Sequence, residues 1–220
     1  MWDWDYALSI LPRLLGALKV TLYATFWGFL LASVFGLLLA VLGRSRVKAI
    51  RMAVFGFVEF IRSTPLLVQL FFLFYSIPLL FGFSMTAFMT GVIGLGLHYS
   101  TYMSEVYRSG IDGVEKGQWE AARALNFSKA RTWTSVVLPQ ALPPILPIMG
   151  NYLIVMFKET PLLAAITVVE LLTTAKNINS MDWRPFEPYT IIGLLFLVIS
   201  LLVSLLVGIM EKHLGKRHTR

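Results

Sequence analysis

Cysteine is absent from all 220 residues, which excludes disulfides and thiolate metal sites. Charge is scarce too: 14% of residues carry it, too few to cover the surface of a soluble domain of this length. Acidic residues are the scarcer sign, 12 against 19 Lys and Arg, leaving a formal net charge of +7. There is no Gly-x-x-x-x-Gly-Lys-Ser/Thr loop to cradle phosphates, so ATP is not expected to be hydrolysed on this chain. His-Glu-x-x-His and Gly-x-Ser-x-Gly are missing as well, which argues against an intramembrane enzyme. His98 is alone in its apolar run, with His213 and His218 far away in the tail, so it has no second His at metal-ligand spacing. It reads as a hydrogen-bonded core or cavity histidine. No internal repeat is visible, which weighs against inverted-repeat transporters.

What the chain has is apolar length. Hydrophobic residues make up 57% of it. Five runs reach the roughly 20 apolar residues that a helix needs to cross hydrocarbon: about 18–42, 52–80, 85–106, 136–157 and 189–210. The second is interrupted by Arg62-Ser63-Thr64-Pro65. The expectation is one all-α membrane domain, 1–220, lodged in a lipid bilayer.

The positive charges lie at the ends of these runs. Arg44, Arg46, Lys48 and Arg51 crowd the first loop, Arg108 to Arg131 span the third, and Lys212, Lys216, Arg217 and Arg220 crowd the tail. The second loop, about 81–84, has none. Such clusters read as cytoplasmic anchors, not as a nucleic-acid surface. With an odd number of spans, the C-terminus is expected in the cytoplasm and the N-terminus outside. The head carries Asp3 and Asp5 beside Trp2 and Trp4, so it does not read as a cleavable signal peptide. The segment 160–188 is then external, and Leu162 to Leu172 is expected to form a short non-spanning helix at the interface.

The third loop, about 112–130, is unusual for a connection. Within it, Gln118-Trp119-Glu120-Ala121-Ala122-Arg123-Ala124-Leu125-Asn126 has helical character. Glu120 is spaced to pair with Lys116 and Arg123 along one face. Ala121, Ala122 and Leu125 lie on another, where small side chains permit a close approach by a partner. Asn126 falls where a helix ends in a left-handed residue. A plain solvated connecting helix fits the local pattern equally well.

Charges inside apolar runs are the other constellation. Arg62 breaks the second run, Glu105 closes the third, and Lys158-Glu159 closes the fourth, followed by Thr160. A charge at bilayer depth costs about 3 kcal/mol on insertion scales, so it faces a cavity or a partner. Arg62, Ser63, Thr64, Pro65, His98, Glu105, Lys158, Glu159 and Thr160 are therefore the candidate substrate path, with both signs of charge that a zwitterion requires. The plainer reading pairs Arg62 or Lys158 with Glu59, Glu105 or Glu159 only to hold helices together.

Glu120-Ala121-Ala122, the turn at Asn126 and Leu138-Pro139 resemble the cytoplasmic loop signature of bacterial ATP-binding cassette (ABC) import permeases, with Asn126 in place of the usual Gly. Phe60 to Gln69, Glu105 to Ile111, Lys116 to Ala122, Leu138 to Ala141, Gly150-Asn151-Tyr152 and Lys158-Glu159-Thr160 look like the polar amino-acid uptake subfamily. Gly96 to Tyr102 and Phe157 to Leu163 look most like its ectoine and hydroxyectoine branch. The resemblance implies a permease with five transmembrane helices and a cytoplasmic coupling helix formed around Gln118 to Asn126. It implies two ATPase subunits that bind the ATP and Mg, an extracytoplasmic substrate-binding protein, and a second permease copy or paralogue. It implies no cofactor on this chain. An ion-coupled or channel-type transporter is the rival, and a membrane scaffold a further one; neither gives the loop signature a task.

Overall fold

Helix α1, Trp4–Leu42, starts at a side-chain cap: the Asp3 carboxylate accepts the backbone N–H of Tyr6 at 3.1 Å. The computed structural model describes residues 2–215, helical in nearly every segment. After α1 come α2 (Lys48–Arg62), α3 (Leu66–Phe71), a π-helical turn Phe72–Ser76 and α4 (Ile77–Phe81). Then follow α5 (Ala87–Asp112), α6 (Lys116–Ala124), α7 (Lys129–Thr132), a second π-helical turn Trp133–Val137 and α8 (Leu138–Glu159). A 3-10 segment Thr160–Ile166 leads to α9 (Leu171–Asp182) and α10 (Phe186–Gly215). Lys216, Arg217, His218 and Arg220 of the basic tail lie outside the described residues.

Among the described residues, three stretches are long and apolar enough to cross a membrane: α1, the run Lys129–Ile166, and α10. A fourth is formed if Lys48–Arg62 and Leu66–Phe81, bent by 104°, count as one broken span. Helix α5 lacks that apolarity because His98 to Glu105 is mostly polar, yet it is the most enclosed helix. His98, Tyr99, Ser100, Thr101 and Ser104 are all buried, so protein and not lipid surrounds them.

The contact of α1 with α5 explains how. Between helices in lipid no hydrophobic drive separates protein from solvent, and close packing of small residues decides association. Gly28, Ala32 and Gly36 recur every four residues on α1 and are all buried. A Cβ on Gly36 would stand 2.5 Å from Met103 Cβ and 2.8 Å from the Ser100 carbonyl oxygen. Gly96 returns the favour from α5, since its Cβ would meet Leu31 at 2.4 Å. The two backbones touch where the side chains vanish.

Helix α1 begins well before position 18, and the extra turns have their own packing. Ile10, Leu14 and Ala17 form a cluster with Leu171, Ala175, Ile178 and Ile192 of α9 and α10. A polar clasp closes the same end. Arg184 binds Asp3 at 3.0 Å and stacks 4.6 Å over the Tyr6 ring, while the Asp3 N–H donates to buried Glu187 at 3.1 Å. The Tyr6 N–H first, and then Arg184, hold the Asp3 carboxyl below its ordinary value.

The stretch Leu162 to Leu172 is not one interfacial helix. Thr167 takes a left-handed conformation, φ 66°, which ends the 3-10 segment, and Glu170 caps a new helix. Leu163, Ile166, Val168 and Leu171 are buried, so the segment is core and not surface. The Glu170 carboxylate accepts the N–H groups of Leu172 and Thr173 at 2.9 and 2.8 Å. Burial still pushes its carboxyl above the ordinary value.

Candidate functional site

The break in the second apolar run is built by its residues in sequence order. Pro65 has no N–H to continue a helix and pushes the residue before it out of helical geometry. Helix α2 therefore stops at Arg62 and α3 starts afresh at Leu66. The carbonyls freed at this break share Gln69 as a partner. The Gln69 amide nitrogen donates to Ile61 O at 2.7 Å, to Thr64 O at 3.1 Å and lies 2.8 Å from Thr64 Oγ1. Its other end, Oε1, lies 3.1 Å from His98 Nδ1 on α5. Gln69 thus ties the break to the central helix.

Above that tie stands an aromatic cluster. His98 lies 5.4 Å from the rings of both Tyr99 and Tyr102. Tyr152 of α8 lies 6.1 Å from Tyr99 and 5.7 Å from Tyr102. Each end of the cluster carries a charge. The Arg62 guanidinium sits 5.1 Å over the Tyr102 ring, a cation–π contact worth about 0.5–2 kcal/mol. The Tyr99 hydroxyl donates to Glu159 Oε2 at 2.6 Å. A cation from α2 and an anion from the end of α8 are thus joined through three tyrosines and held apart from each other. No ion pair forms on Arg62, Lys158 or Glu159 among the described residues.

The other candidate residues separate from this cluster. Glu105 pairs with Arg108 at 2.5 Å, one turn along its own helix. Lys158 is exposed. Thr160 is buried and its hydroxyl donates to Phe157 O at 2.7 Å. Ser63 and Pro65 are exposed at the break, and Thr64 bonds back to Phe60 O and Ile61 O. Gln69 and Tyr152 were absent from the candidate list. Their signals were an uncharged polar residue four places after Pro65 and a tyrosine two helical turns before Glu159.

The third loop folds as its pattern predicts, but one face differs. Helix α6 ends in a Schellman motif: Phe127 N–H donates to Ala122 O at 3.0 Å and Asn126 N–H to Arg123 O at 2.9 Å. Asn126 sits at φ 53°, the left-handed position that Gly would fill more easily. Ala122, however, points inward and is 2% exposed. Its small size serves the packing of α6 on the chain itself, where Trp119 meets Trp133 edge-on at 5.5 Å. The outward face is Gln118, Glu120, Ala121, Arg123 and Leu125, with Leu125 68% exposed. The expected pairing of Glu120 with Lys116 and Arg123 does not form among the described residues; Arg123 Nε donates to Trp119 O at 3.3 Å. Gln118 accepts from Gln140 of α8 at 3.3 Å, which links the loop helix to the helix that carries Tyr152 and Glu159.

Comparison with known proteins bears on both regions. Residues 32–216 match the family model described as the binding-protein-dependent transport system inner membrane component. A probable amino-acid ABC transporter permease protein of Sinorhizobium fredii is 44% identical over 96% of this chain and 91% of its own length. A probable amino-acid permease protein of Bacillus subtilis is 31% identical over 97% and 96%. Among solved structures, an amino acid ABC transporter with histidines superposes with a TM-score of 0.90 at 36% identity, covering 97% of this chain and 99% of that one.

Proposed function

Because the chain belongs to the family of binding-protein-dependent transport system inner membrane components, we propose that it carries a zwitterionic amino acid or amino-acid derivative inward past Arg62 and Glu159. The chain is the permease subunit of an ABC amino-acid importer. It is an all-helical, multi-pass component of the inner membrane, and its partners are an ATPase and a substrate-binding protein. Nucleotide is bound and hydrolysed on the separate ATPase subunit, and permeases of this family hold no cofactor.

The observation that carries the substrate reading is the pairing of one cation and one anion across an aromatic wall. Arg62 is positioned for a carboxylate, Glu159 for an ammonium or amidinium, and the tyrosine faces for the apolar body between. A cyclic amidine carboxylate of the ectoine and hydroxyectoine type is the first substrate to test, on the resemblance of Gly96 to Tyr102 and Phe157 to Leu163 to that branch. Five spans with the N-terminus outside and the tail in the cytoplasm complete the proposal, together with a second permease copy or paralogue across the path. The α6 face around Glu120, Ala121 and Leu125 receives the ATPase, and Gln118 passes its displacement to α8 through Gln140. Release requires that substrate be held less tightly in one state than in the other.

The test is affinity purification of the tagged chain from its native membrane, followed by ATPase assay with binding protein and candidate solutes. Co-purification of an ATPase stimulated by a zwitterion supports the reading. A purified chain with no ATPase attached, or one stimulated only by an uncharged solute, would overturn it. A cysteine introduced at Ser45 of this cysteine-free chain checks the topology, since labelling from outside by an impermeant reagent would invert it.

A further inference from the structure

A cavity of about 360 Å³ lies where the end of α1, the N-terminal half of α2 and the loop end of α5 meet. Leu39, Val54, Phe55 and Val58 supply apolar lining, and Arg51, Arg108 and Glu105 supply charge. The transport reading uses none of this. Arg108 is paired with Glu105, and Arg44 with Asp112 while also donating to the Arg108 carbonyl at 3.4 Å. Arg46, Lys48 and Arg51 have no ion pair among the described residues. Arg51 and Arg108 therefore line the cavity against one carboxylate, Glu105, while Arg44, Arg46, Lys48 and Asp112 lie outside its lining and Glu59 is exposed two turns further along α2. The flanking surface is apolar: Phe55 is 69% exposed and Met52 61%, and on α1 Leu37, Leu38 and Val41 are 46–58% exposed.

We propose that this cavity binds an anionic phospholipid, its acyl chain against Phe55 and Val58 and its phosphate at Arg51 and Arg108. Both parts of the ligand follow from the lining. An apolar wall beside exposed apolar side chains takes a hydrocarbon chain, and the Arg51 guanidinium at its border, with the Arg108–Glu105 pair beside it, takes a phosphate. A polar ATPase surface would leave Phe55 and Met52 uncovered, and a zwitterionic lipid would leave the excess charge unanswered. Basic segments at the cytoplasmic surface gain about five-fold in affinity for anionic lipid per Lys or Arg. The inference rests on the first loop facing the cytoplasm, which the Ser45 cysteine label tests separately.

The complete complex, in nanodiscs, would be probed with photoactivatable phosphatidylglycerol and with the matching phosphatidylcholine. Wild-type protein should be labelled by the first on α1, α2 or α5 and hardly by the second. Arg51→Gln should cut the yield by about five-fold, Arg51→Gln with Arg108→Gln further, and Arg51→Lys should restore most of it. Lys212→Gln, a cation on α10 outside the cavity, should change nothing. Equal labelling of wild type and the double variant would overturn the proposal. So would competition by soluble glycerophosphoglycerol as effective as by lipid, which would make this a free-phosphate site. Efficient cross-linking of Phe55→Cys to a second permease or to the ATPase, with no lipid labelled, would make it a protein interface.

Discussion

Exchanging Glu159 for Gln removes one charge and little else, which makes it the sharpest perturbation of the proposed path. The Tyr99 hydroxyl donates to Glu159 at 2.6 Å, and a Gln carbonyl oxygen at the same place accepts that bond. Packing and assembly should therefore survive. What disappears is a charge-assisted contact to the substrate's cationic group, worth about 1.5–3 kcal/mol. Half-maximal stimulation of the ATPase by substrate should then need roughly 10- to 150-fold more of it. Tyr99→Phe gives the complementary result. It strips Glu159 of its donor but leaves the charge, so substrate recognition is weakened less and thermal stability more, by about 1–3 kcal/mol for the lost bond to a half-buried carboxylate. The double variant separates the two, since residues in contact are non-additive by about 0.5–3 kcal/mol. The assay compares substrate-stimulated with basal ATPase at saturating binding protein, beside thermal unfolding of each variant. Unchanged transport by Glu159→Gln would remove it from the path. Loss of assembly would make it a structural partner of Tyr99 alone.

Three other substitutions test separate parts of the account. On α6, Ala121→Trp should leave the complex folded but lower coupled uptake at least ten-fold, by blocking the outward face; Ala122→Trp, at a position 2% exposed, should instead reduce the yield of folded protein by overpacking, about 1–3 kcal/mol. Normal uptake in Ala121→Trp would discard that face as the ATPase contact. Gly36→Val should destabilise the α1–α5 contact by more than about 2 kcal/mol, because its Cβ would fall 2.5 Å from Met103 Cβ; an unchanged melting temperature would refute the close approach. At Glu170, loss of the cap in Glu170→Ala should cost about 1–2 kcal/mol. Its carboxyl value is raised by burial, so its contribution is full below the ordinary 4.5 and is lost as pH rises through the raised value. Glu170→Gln should flatten that part of the stability–pH curve, and an unaltered slope would refute the assignment.

The apolar runs made the membrane class legible, because a span must be written as consecutive residues. The loop helix and its end at Asn126 were legible for the same reason: the cap is local chemistry. The inward turn of Ala122 was not, since periodicity defines faces without saying which one the rest of the chain covers. The first apolar run starts near 18, yet packing against α9 and α10 carries helix α1 back to Trp4. The charges Arg62 and Glu159 could be picked out as costly in an apolar run. That Tyr102, Tyr152 and Tyr99 would join them, and that Gln69 would satisfy the broken backbone, depends on how α2, α5 and α8 meet. The Gly28-Ala32-Gly36 spacing marks a face of α1 suited to close packing, but that α5 is the helix packed there is set by the tertiary structure.

ATP-driven uptake is the most direct measurement of the central claim. The chain would be reconstituted into sealed vesicles with its ATPase and binding protein, ATP enclosed on the ATPase side, and a radiolabelled zwitterion supplied outside. The account predicts accumulation against a gradient that requires hydrolysable ATP and binding protein and persists when ionophores collapse proton and sodium gradients. Accumulation that follows those gradients and ignores ATP would contradict it.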